Sequence, residues 1–423
     1  MKILIIGSGG REHAICDKFL QSKKVEKLFV ASGNAGISEI AQCVENLDVK
    51  SHFQVIKFCQ ENEIDFVFIG PEQPLVDGLV DDLQKAHIKV FGPSKYGAQL
   101  EGSKDFMKKI AVENNVPTAK YQTFVESSKA LEFGKTLGFP CVIKADGLAA
   151  GKGVVIAQNE EEFITTTNEF FGGKFGDSSK KIIVEEFLTG LEVSYFIISD
   201  GKSFASLGFA HDHKKVGEDE TGANTGGMGT FSPSPFVNKA TESEIIAKMI
   251  APTLSAMQKS GNPFVGILFA GIILTKDGPK LLEFNTRFGD PETQVILPRI
   301  KCDFADLILA AIDGNLANFN VDLDEENKFV CVVMAAKGYP ENYKKGCEIN
   351  LESAKKIEGV KILHAGTALK NGKIISNGGR VLNIIAKAKT FKEARKKAYE
   401  AIDLIDYKDG FVRKDIAKKV EDL

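Results

Sequence analysis

The sequence predicts a multidomain protein of mixed α/β and α+β class. A doubly wound parallel sheet stands at the N-terminus, followed by a larger central domain with a small inserted lobe and by a strand-rich C-terminal domain. Three observations carry this reading. Over the first hundred residues, short apolar runs alternate with helical patterns, as strand–helix–strand units do. Between about 120 and 190 a compact group of strands and helices interrupts a longer pattern. From about 328 the chain is rich in strand patterns, with a hairpin signal at Asn371-Gly372. With 423 residues there is room for roughly three domains of about 150 residues. The boundaries fall at 1–103, at 104–120 with 190–327, at 121–189 for the insert, and at 328–423.

Each element has a local reason. Runs at 3–6, 28–31, 66–69 and 90–91 read as strands, with helices at 11–22, 53–62 and 76–86 between them, until Gly92-Pro93-Ser94 ends the alternation. Ser103 is an N-cap, and the helix behind it aligns Phe106, Ile110 and Ala111 before stopping ahead of Val116-Pro117. In the insert, helices at 131–137 and 160–168, strands at 141–144 and 182–187, and a flexible loop at 171–181 are expected. A strand at 193–199 follows. The stretch 204–228 is polar, glycine-rich and without periodicity, which predicts a long functional or disordered loop. A helix near 242–260, strands at 266–274 and 280–285, and a helix at 304–313 complete the centre. The C-terminal part has strands at 329–335 and 381–386 and a helix at 391–405, with Phe391, Ala394, Ala398, Ile402 and Ile405 along one stripe.

Composition excludes several classes. Lys and Arg total 54 against 57 Asp and Glu, a net charge of −3, so no basic field points to nucleic acid. The seven cysteines form no C-x-x-C pair, which predicts buried thiols in a reducing compartment. The longest apolar stretch, 265–274, is half of a membrane span, and 3–6 is too short for a signal peptide. A cytoplasmic protein without membrane or nucleic-acid partners is expected.

Five segments could carry chemistry. Gly7-Ser8-Gly9-Gly10-Arg11-Glu12-His13 follows a strand and opens a helix, where free N–H groups attract an anion. It departs from a dinucleotide fingerprint because Glu12 replaces the third glycine and no acid ends the second strand at Ala31-Ser32-Gly33-Asn34. A phosphate-bearing small substrate therefore suits it better than NAD. The segment from Lys144 through Gly147, Gly151, Lys152 and Gly153 suits either closure over a polyphosphate or a solvated turn; it is no Walker A loop. On the strand Val184-Glu185-Glu186-Phe187-Leu188, the two glutamates face opposite sides. In Glu283-Phe284-Asn285-Thr286-Arg287, period two puts Glu283 and Asn285 on one face. Two oxygen ligands side by side suit Mg²⁺, and Arg287 can grip a phosphoryl or carboxylate group. Asp212-His213-Lys214-Lys215, with Asn224-Thr225-Gly226-Gly227-Met228-Gly229, reads either as a substrate-covering loop or as a solvated one.

Taken in order, these segments resemble the phosphoribosylamine–glycine ligase family of the ATP-grasp superfamily. The resemblance spans essentially the whole chain: GSGGREH at 7–13, SGNAG at 32–36, GPEQPLVDG at 70–78, FGPSKYGAQLEGSK at 91–104, IKADGLAAGKGV at 143–154, VEEFLTGLE at 184–192, HDHKKVGEDETGANTGGMG at 211–229, EFNTRFGDPETQ at 283–294 and NGGRV at 377–381. It implies an ATP-grasp central domain with ATP between it and the inserted lobe. Lys104 and Lys144 would contact phosphates, with Gly151, Lys152 and Lys215 also on the nucleotide. Glu185, Glu186, Phe187 and Leu188 would meet the adenine and Glu192 the ribose. Glu283 and Asn285 would hold Mg²⁺ or Mn²⁺. Gly9, Gly10, Arg11, Asn34 and Glu72 would hold 5-phosphoribosylamine on the N-terminal domain. Asp212, Asn224, Thr225, Gly226 and Gly227, with Arg287 and Asp290, would surround glycine and the transferred phosphoryl group.

The chain departs from the family pattern in places. Lys215 stands where Arg is usual, Ser32 where Pro is usual, and Thr286 where Cys is usual. Ala270 occupies the neighbourhood where many ATP-grasp enzymes place a further metal-binding Glu. The implied reaction joins glycine to 5-phosphoribosylamine through glycyl phosphate, at the expense of ATP, and the protein is expected to be a monomer. Lys144, Arg287 and Asp290 would be catalytic, and loss of Arg287 is expected to lower the rate and leave the fold intact.

Overall fold

The computed structural model describes residues 1–149 and 153–423. Gly151 and Lys152 lie outside the described residues. The N-terminal strands Lys2–Gly7, Lys27–Ser32, Gln42–Cys43, Phe66–Ile69 and Val90–Phe91 form a five-stranded, all-parallel sheet. Its central strand buries Ile3, Leu4, Ile5 and Ile6 together. Apolar residues at every position are needed when helices cover both faces.

A nine-stranded sheet forms the body of the molecule. It runs from Gly278–Asn285 through Val265–Thr275, Leu191–Asp200, Phe204–Asp212, Gly229–Ser232, Lys328–Ala336 and Arg380–Ala388 to Val360–His364, with Gly410–Phe411 beside Lys328–Ala336. Strands from either side of residue 327 therefore share hydrogen bonds, Gly229 pairing with Val332 and Ser232 with Phe329. The five-stranded sheet packs on this body through helices. Phe19 and Phe304 approach to 4.8 Å between ring centroids, in one core with Phe68, Phe196 and Phe329. The insert has its own four-stranded sheet, in the order Tyr121–Phe124, Ile182–Glu186, Cys141–Ala145 and Val154–Ala157. Its own small core contains Phe124, Ile143, Phe163, Phe170 and Val184.

The expected loop at 204–228 is corrected. Its first part is the strand Phe204–Asp212, central in the large sheet, and Lys215–Gly217 pairs with Thr221–Asn224. The strand looks polar because it packs on polar groups, the half-buried Glu242 and the buried Arg299. Ser206 donates to Glu242 at 2.8 Å, and Gly208, at φ +91°, lies so near Arg299 that a Cβ would meet its guanidinium at 2.7 Å. The register also shifts opposite, between Phe196 and Ile197, which hides the period of two. The single helix expected at 76–86 is two, Glu72–Asp77 and Leu79–Lys85, divided at Gly78 with φ +94°. Ser103 does cap the helix Lys104–Glu113, accepting from the Phe106 N–H. Among the described residues no helix is long and apolar enough to cross a membrane.

Candidate active site

The strand Gly278–Asn285 ends in the cleft facing the insert. A bulge against Gly271 and Ile272 resets its register between Leu281 and Glu283, after which Phe284 is buried and Glu283 and Asn285 are half-buried. The Glu283 carboxylate has no hydrogen bond or ion pair among the described residues, yet it stands in a field of cations. Burial pushes its pKa up, but Lys214, Lys144, Lys104 and Arg287 outweigh burial and hold it below the ordinary value. Arg287 donates to Asn285 Oδ1 at 3.3 Å and to the Phe288 carbonyl at 3.1 Å. It is pinned by Glu101 at 2.6 Å and Glu72 at 3.1 Å. Among the described residues no cluster of three or more His, Cys, Asp or Glu gathers to hold a metal. Two hard oxygen donors, one a carboxylate without a hydrogen bond or ion pair among the described residues, still fit Mg²⁺, which completes its shell with phosphate and water.

Strand Ile182–Glu186 brings the insert to this cleft. Glu185 is buried, pairing with Lys144 at 3.0 Å and Lys108 at 3.2 Å, and its Oε1 is buried with no hydrogen-bond partner among the described residues. Glu186 points the other way, 3.6 Å from Lys280; Phe187 is exposed and Leu188 half-buried beyond it. Glu192, exposed, pairs with Lys214 at 3.1 Å. Lys104 Nζ reaches the Gly147 carbonyl at 3.3 Å, and burial lowers its pKa against the pull of Glu283. Four cations therefore act on one carboxylate, an arrangement suited to an oligophosphate.

On the other side lies the glycine loop. Gly9 caps the helix Gly10–Phe19, and Glu12 turns back so that its carboxylate accepts the Gly9 N–H at 2.7 Å and Arg11 Nε at 2.7 Å. The side chain lies against Gly7 and Gly70, at either of which a Cβ would overlap it. A pyrophosphate at this helix start would meet that carboxylate. Gly10 faces Asn383 and Gln294. Arg11 spends its guanidinium on Glu12 and the Phe288 carbonyl, while its N–H donates to Asp290 at 3.0 Å. Asn34 is likewise committed internally: it donates to the Ser8 and His364 carbonyls and accepts from Gly36 and Ile37 N–H. Glu72 meets Arg287, whose charge and that of Arg11 outweigh burial and bring its pKa down to about 2.

The chain from Asp212 to Gly229 closes the remaining side. Asp212 Oδ1 is buried with no hydrogen-bond partner among the described residues. Burial, and then the charge of Glu292, raise its pKa well above the carboxylate range. Thr225 bonds back to the Lys214 carbonyl at 2.8 Å and accepts the Gly227 N–H at 3.0 Å. Lys215 and Asn224 pair as strand neighbours; Lys214, and not Lys215, is among the charges that hold the Glu283 pKa down. Asp290 has a lowered pKa because the charges of Arg380 and Arg11 overcome its burial.

Sequence reasoning missed Glu101, Lys108, Lys214, Glu292 and Arg380 as site residues. All but Lys108 lie inside segments singled out for the resemblance. Glu101 sits 186 positions from Arg287, its partner, and no local pattern marks such a pairing.

Comparison with known proteins agrees with this layout. Three family models match in order: the phosphoribosylglycinamide synthetase N domain over 1–101, the ATP-grasp (A) domain over 102–293 and the C domain over 329–419. A phosphoribosylamine–glycine ligase from Brucella melitensis is 49% identical over 98% of this chain and 97% of its own. The crystal structure of a phosphoribosylamine–glycine ligase from Thermotoga maritima superposes with a TM-score of 0.86 at 32% identity, covering 99% of this chain and all of that one. The biotin carboxylase domain of a Hydrogenobacter thermophilus 2-oxoglutarate carboxylase, solved with MgADP and bicarbonate, shares the fold at a TM-score of 0.74 and 15% identity, covering 97% of this chain and 91% of that one. Matched by all three domain models and by relatives along nearly its whole length, the chain belongs to the phosphoribosylglycinamide synthetase family, the phosphoribosylamine–glycine ligases.

Proposed function

We propose that this protein is an ATP-dependent carbon–nitrogen ligase that joins glycine to 5-phosphoribosylamine, giving glycinamide ribonucleotide, ADP and phosphate in purine biosynthesis. The observation that carries the reading is the Glu283 carboxylate, without a hydrogen bond or ion pair among the described residues, whose pKa the charges of Lys214, Lys144, Lys104 and Arg287 hold down against burial. In the first step a glycine carboxylate oxygen bonds to the γ-phosphorus as the bond to ADP breaks. In the second, the sugar amine attacks the glycyl carbonyl, phosphate leaves, and the amine loses a proton. No enzyme nucleophile is required. Positioning and charge neutralisation supply the acceleration.

Glu283 and Asn285 would hold Mg²⁺, or Mn²⁺, which when bound shields the phosphoryl oxygens. Lys104 and Lys144 would lie along the phosphates. Glu185 to Leu188 would border the adenine, with the free Glu185 oxygen facing a donor, and Glu192 the ribose. Arg287, held by Glu101, Glu72, Asn285 and the Phe288 carbonyl, would set its charge beside the transferred group. The loop at Gly9 and Gly10 would bind the sugar phosphate through backbone N–H groups. Arg11 and Asn34 would shape that loop, since their own side chains are engaged. Asp212, Asp290 and the 224–227 turn would enclose glycine. On this reading, 1–103 carries the sugar site, 104–120 and 190–327 the ATP-grasp body, 121–189 the lobe over ATP, and 328–423 the wall behind them. We place the enzyme in the cytoplasm, as a monomer; all seven cysteines are free thiols, which supports a reducing compartment.

The test is ADP release from Mg-ATP with glycine and freshly generated phosphoribosylamine each omitted in turn. Release requiring glycine, and product requiring both, is expected. No glycine-dependent release would overturn the assignment.

A further inference from the structure

Residues of the C-terminal part grip the substrate loop at both ends. At the leading end, Arg413 is buried and donates to the Lys215 carbonyl at 2.9 Å, to Glu220 at 2.8 Å and to Asp415 at 2.7 Å, and Ala417 N–H donates to His213 Nε2 at 3.3 Å. At the far end, Arg380 Nη1 donates to the Gly226 carbonyl at 2.6 Å and the Asp290 carbonyl at 2.5 Å, with the Gly227 carbonyl at 3.5 Å. Its Nη2 lies 3.5 Å from the Asp290 carboxylate. The Tyr339 hydroxyl accepts the Gly226 N–H at 3.0 Å. Gly226 has no room for a side chain, since a Cβ would meet the Arg380 guanidinium carbon at 2.9 Å. Asp290 carries the connection further: its carboxylate accepts the Arg11 N–H at 3.0 Å and Gln294 Nε2 at 3.0 Å. One guanidinium thus ties the 226–227 turn to the Asp290 turn, and through Asp290 to the glycine loop.

We propose that Arg380 is a positioning residue that keeps the amino-acid subsite and the sugar-amine subsite in register, so that the acyl phosphate is passed to the amine and not to water. The proposal rests on the ligase reading above. Arg380 meets neither the cation cluster nor Glu283 in any hydrogen bond or ion pair among the described residues, so its loss should leave ATP binding intact, while the glycine turn it braces loosens and the acyl phosphate is left open to water. When register fails, water's oxygen bonds to the acyl carbon, the bond to phosphate breaks, and glycine and phosphate return. ATP is then consumed without product.

The test compares ADP with glycinamide ribonucleotide formed by wild type, Arg380→Gln, Arg380→Lys and Tyr339→Phe. Wild type should give one product per ADP. Arg380→Gln should lower the product formed per ADP about 10²-fold, the scale of a misplacement near 1 Å, with the KM for glycine raised and the KM for ATP changed less than about threefold. Arg380→Lys should stay uncoupled, because an ammonium cannot reach three acceptors in a fork, and added methylguanidine should partly restore coupling in Arg380→Gln. Tyr339→Phe should uncouple in the same direction and less, and it carries the test if Arg380→Gln does not fold. Stoichiometric coupling in the soluble variants overturns the proposal. So does a KM for ATP that rises in step with the loss of product, because that marks a general lesion. Absence of glycine-dependent ADP release in wild type would instead defeat the ligase reading itself.

Discussion

Replacing Arg287 by Met should damage both turnover and folding, and the two effects can be separated. The guanidinium is the shared partner of Glu101 at 2.6 Å and Glu72 at 3.1 Å. Glu101 is buried, and its pKa is already raised, chiefly by burial, despite Arg287. Removing the cation strands that charge, at a cost of about 3–5 kcal/mol. The earlier expectation that loss of Arg287 leaves the fold intact is amended accordingly. Turnover should fall about 10²–10³-fold, as when one preorganised charge is taken from a developing anion. The sign of the pH effect follows from Glu101. Its folded pKa rises further in the variant, so the folded state holds a proton that the unfolded chain releases. The deficit should therefore grow as pH rises above 4.5, the ordinary glutamate value, and shrink on acidification. Denaturant titrations from pH 4.5 to 8, alongside initial rates of ADP release, measure both. The double variant Arg287→Met/Glu101→Gln should regain most of the stability and none of the rate. Near-wild-type turnover in Arg287→Met, or no recovery of stability in the double variant, would refute the reasoning.

Three further outcomes are expected. Glu283→Gln should lower turnover about 10²-fold and raise the divalent ion concentration needed for half-maximal rate, read by Mg²⁺ and Mn²⁺ titration after chelation; an unchanged titration would remove Glu283 from the metal set. Gly10→Ala should cost about 1–3 kcal/mol by overpacking, because its Cβ would overlap the Asn383 amide, and the KM for phosphoribosylamine should rise more than that for ATP. Finally, burial lowers the pKa of His13 to about 4 and that of His364 to about 3, from an ordinary 6.5. Both are neutral when folded and take up protons on unfolding, so stability present above pH 6.5 is lost as pH falls toward 4. His13→Asn, which retains an acceptor for the His364 N–H, should flatten that slope; an identical slope would exclude the pair.

Local patterns made much of the fold legible. Four of the five N-terminal strands, the Ser103 cap, the hairpin at Asn371-Gly372 and the strand carrying Glu283 and Asn285 are written in periods of two or 3.6 residues and in turn chemistry, while the short strand Gln42–Cys43 and the break at Gly78 are not. The strand Phe204–Asp212 was not legible. Its side chains answer to Glu242 and Arg299 and to a bulge in its neighbour, none of which is local.

The same division runs through the site. The sequence alone placed a glycine loop at a helix start, two oxygen donors at a strand end, and lysines and arginines nearby, because each motif needs only its own backbone geometry. Which charges meet was decided in three dimensions. Lys214, in the connection between the strands Phe204–Asp212 and Lys215–Gly217, adds its charge to the field at Glu283, while Lys215 is held in the strand pair with Asn224. Asn34 and Arg11 turn inward because the C-terminal strand Val360–His364 and the Phe288 turn bring carbonyls within their reach. Arg380 enters the site only because Lys328–Ala336 joins the central sheet through Gly229–Ser232 and seats Arg380–Ala388 beside it. Coulomb and hydrogen-bond partners act over a few ångströms of space and are indifferent to separation along the chain. The chemistry of each group is therefore local to the sequence, while its partner is a property of the tertiary structure.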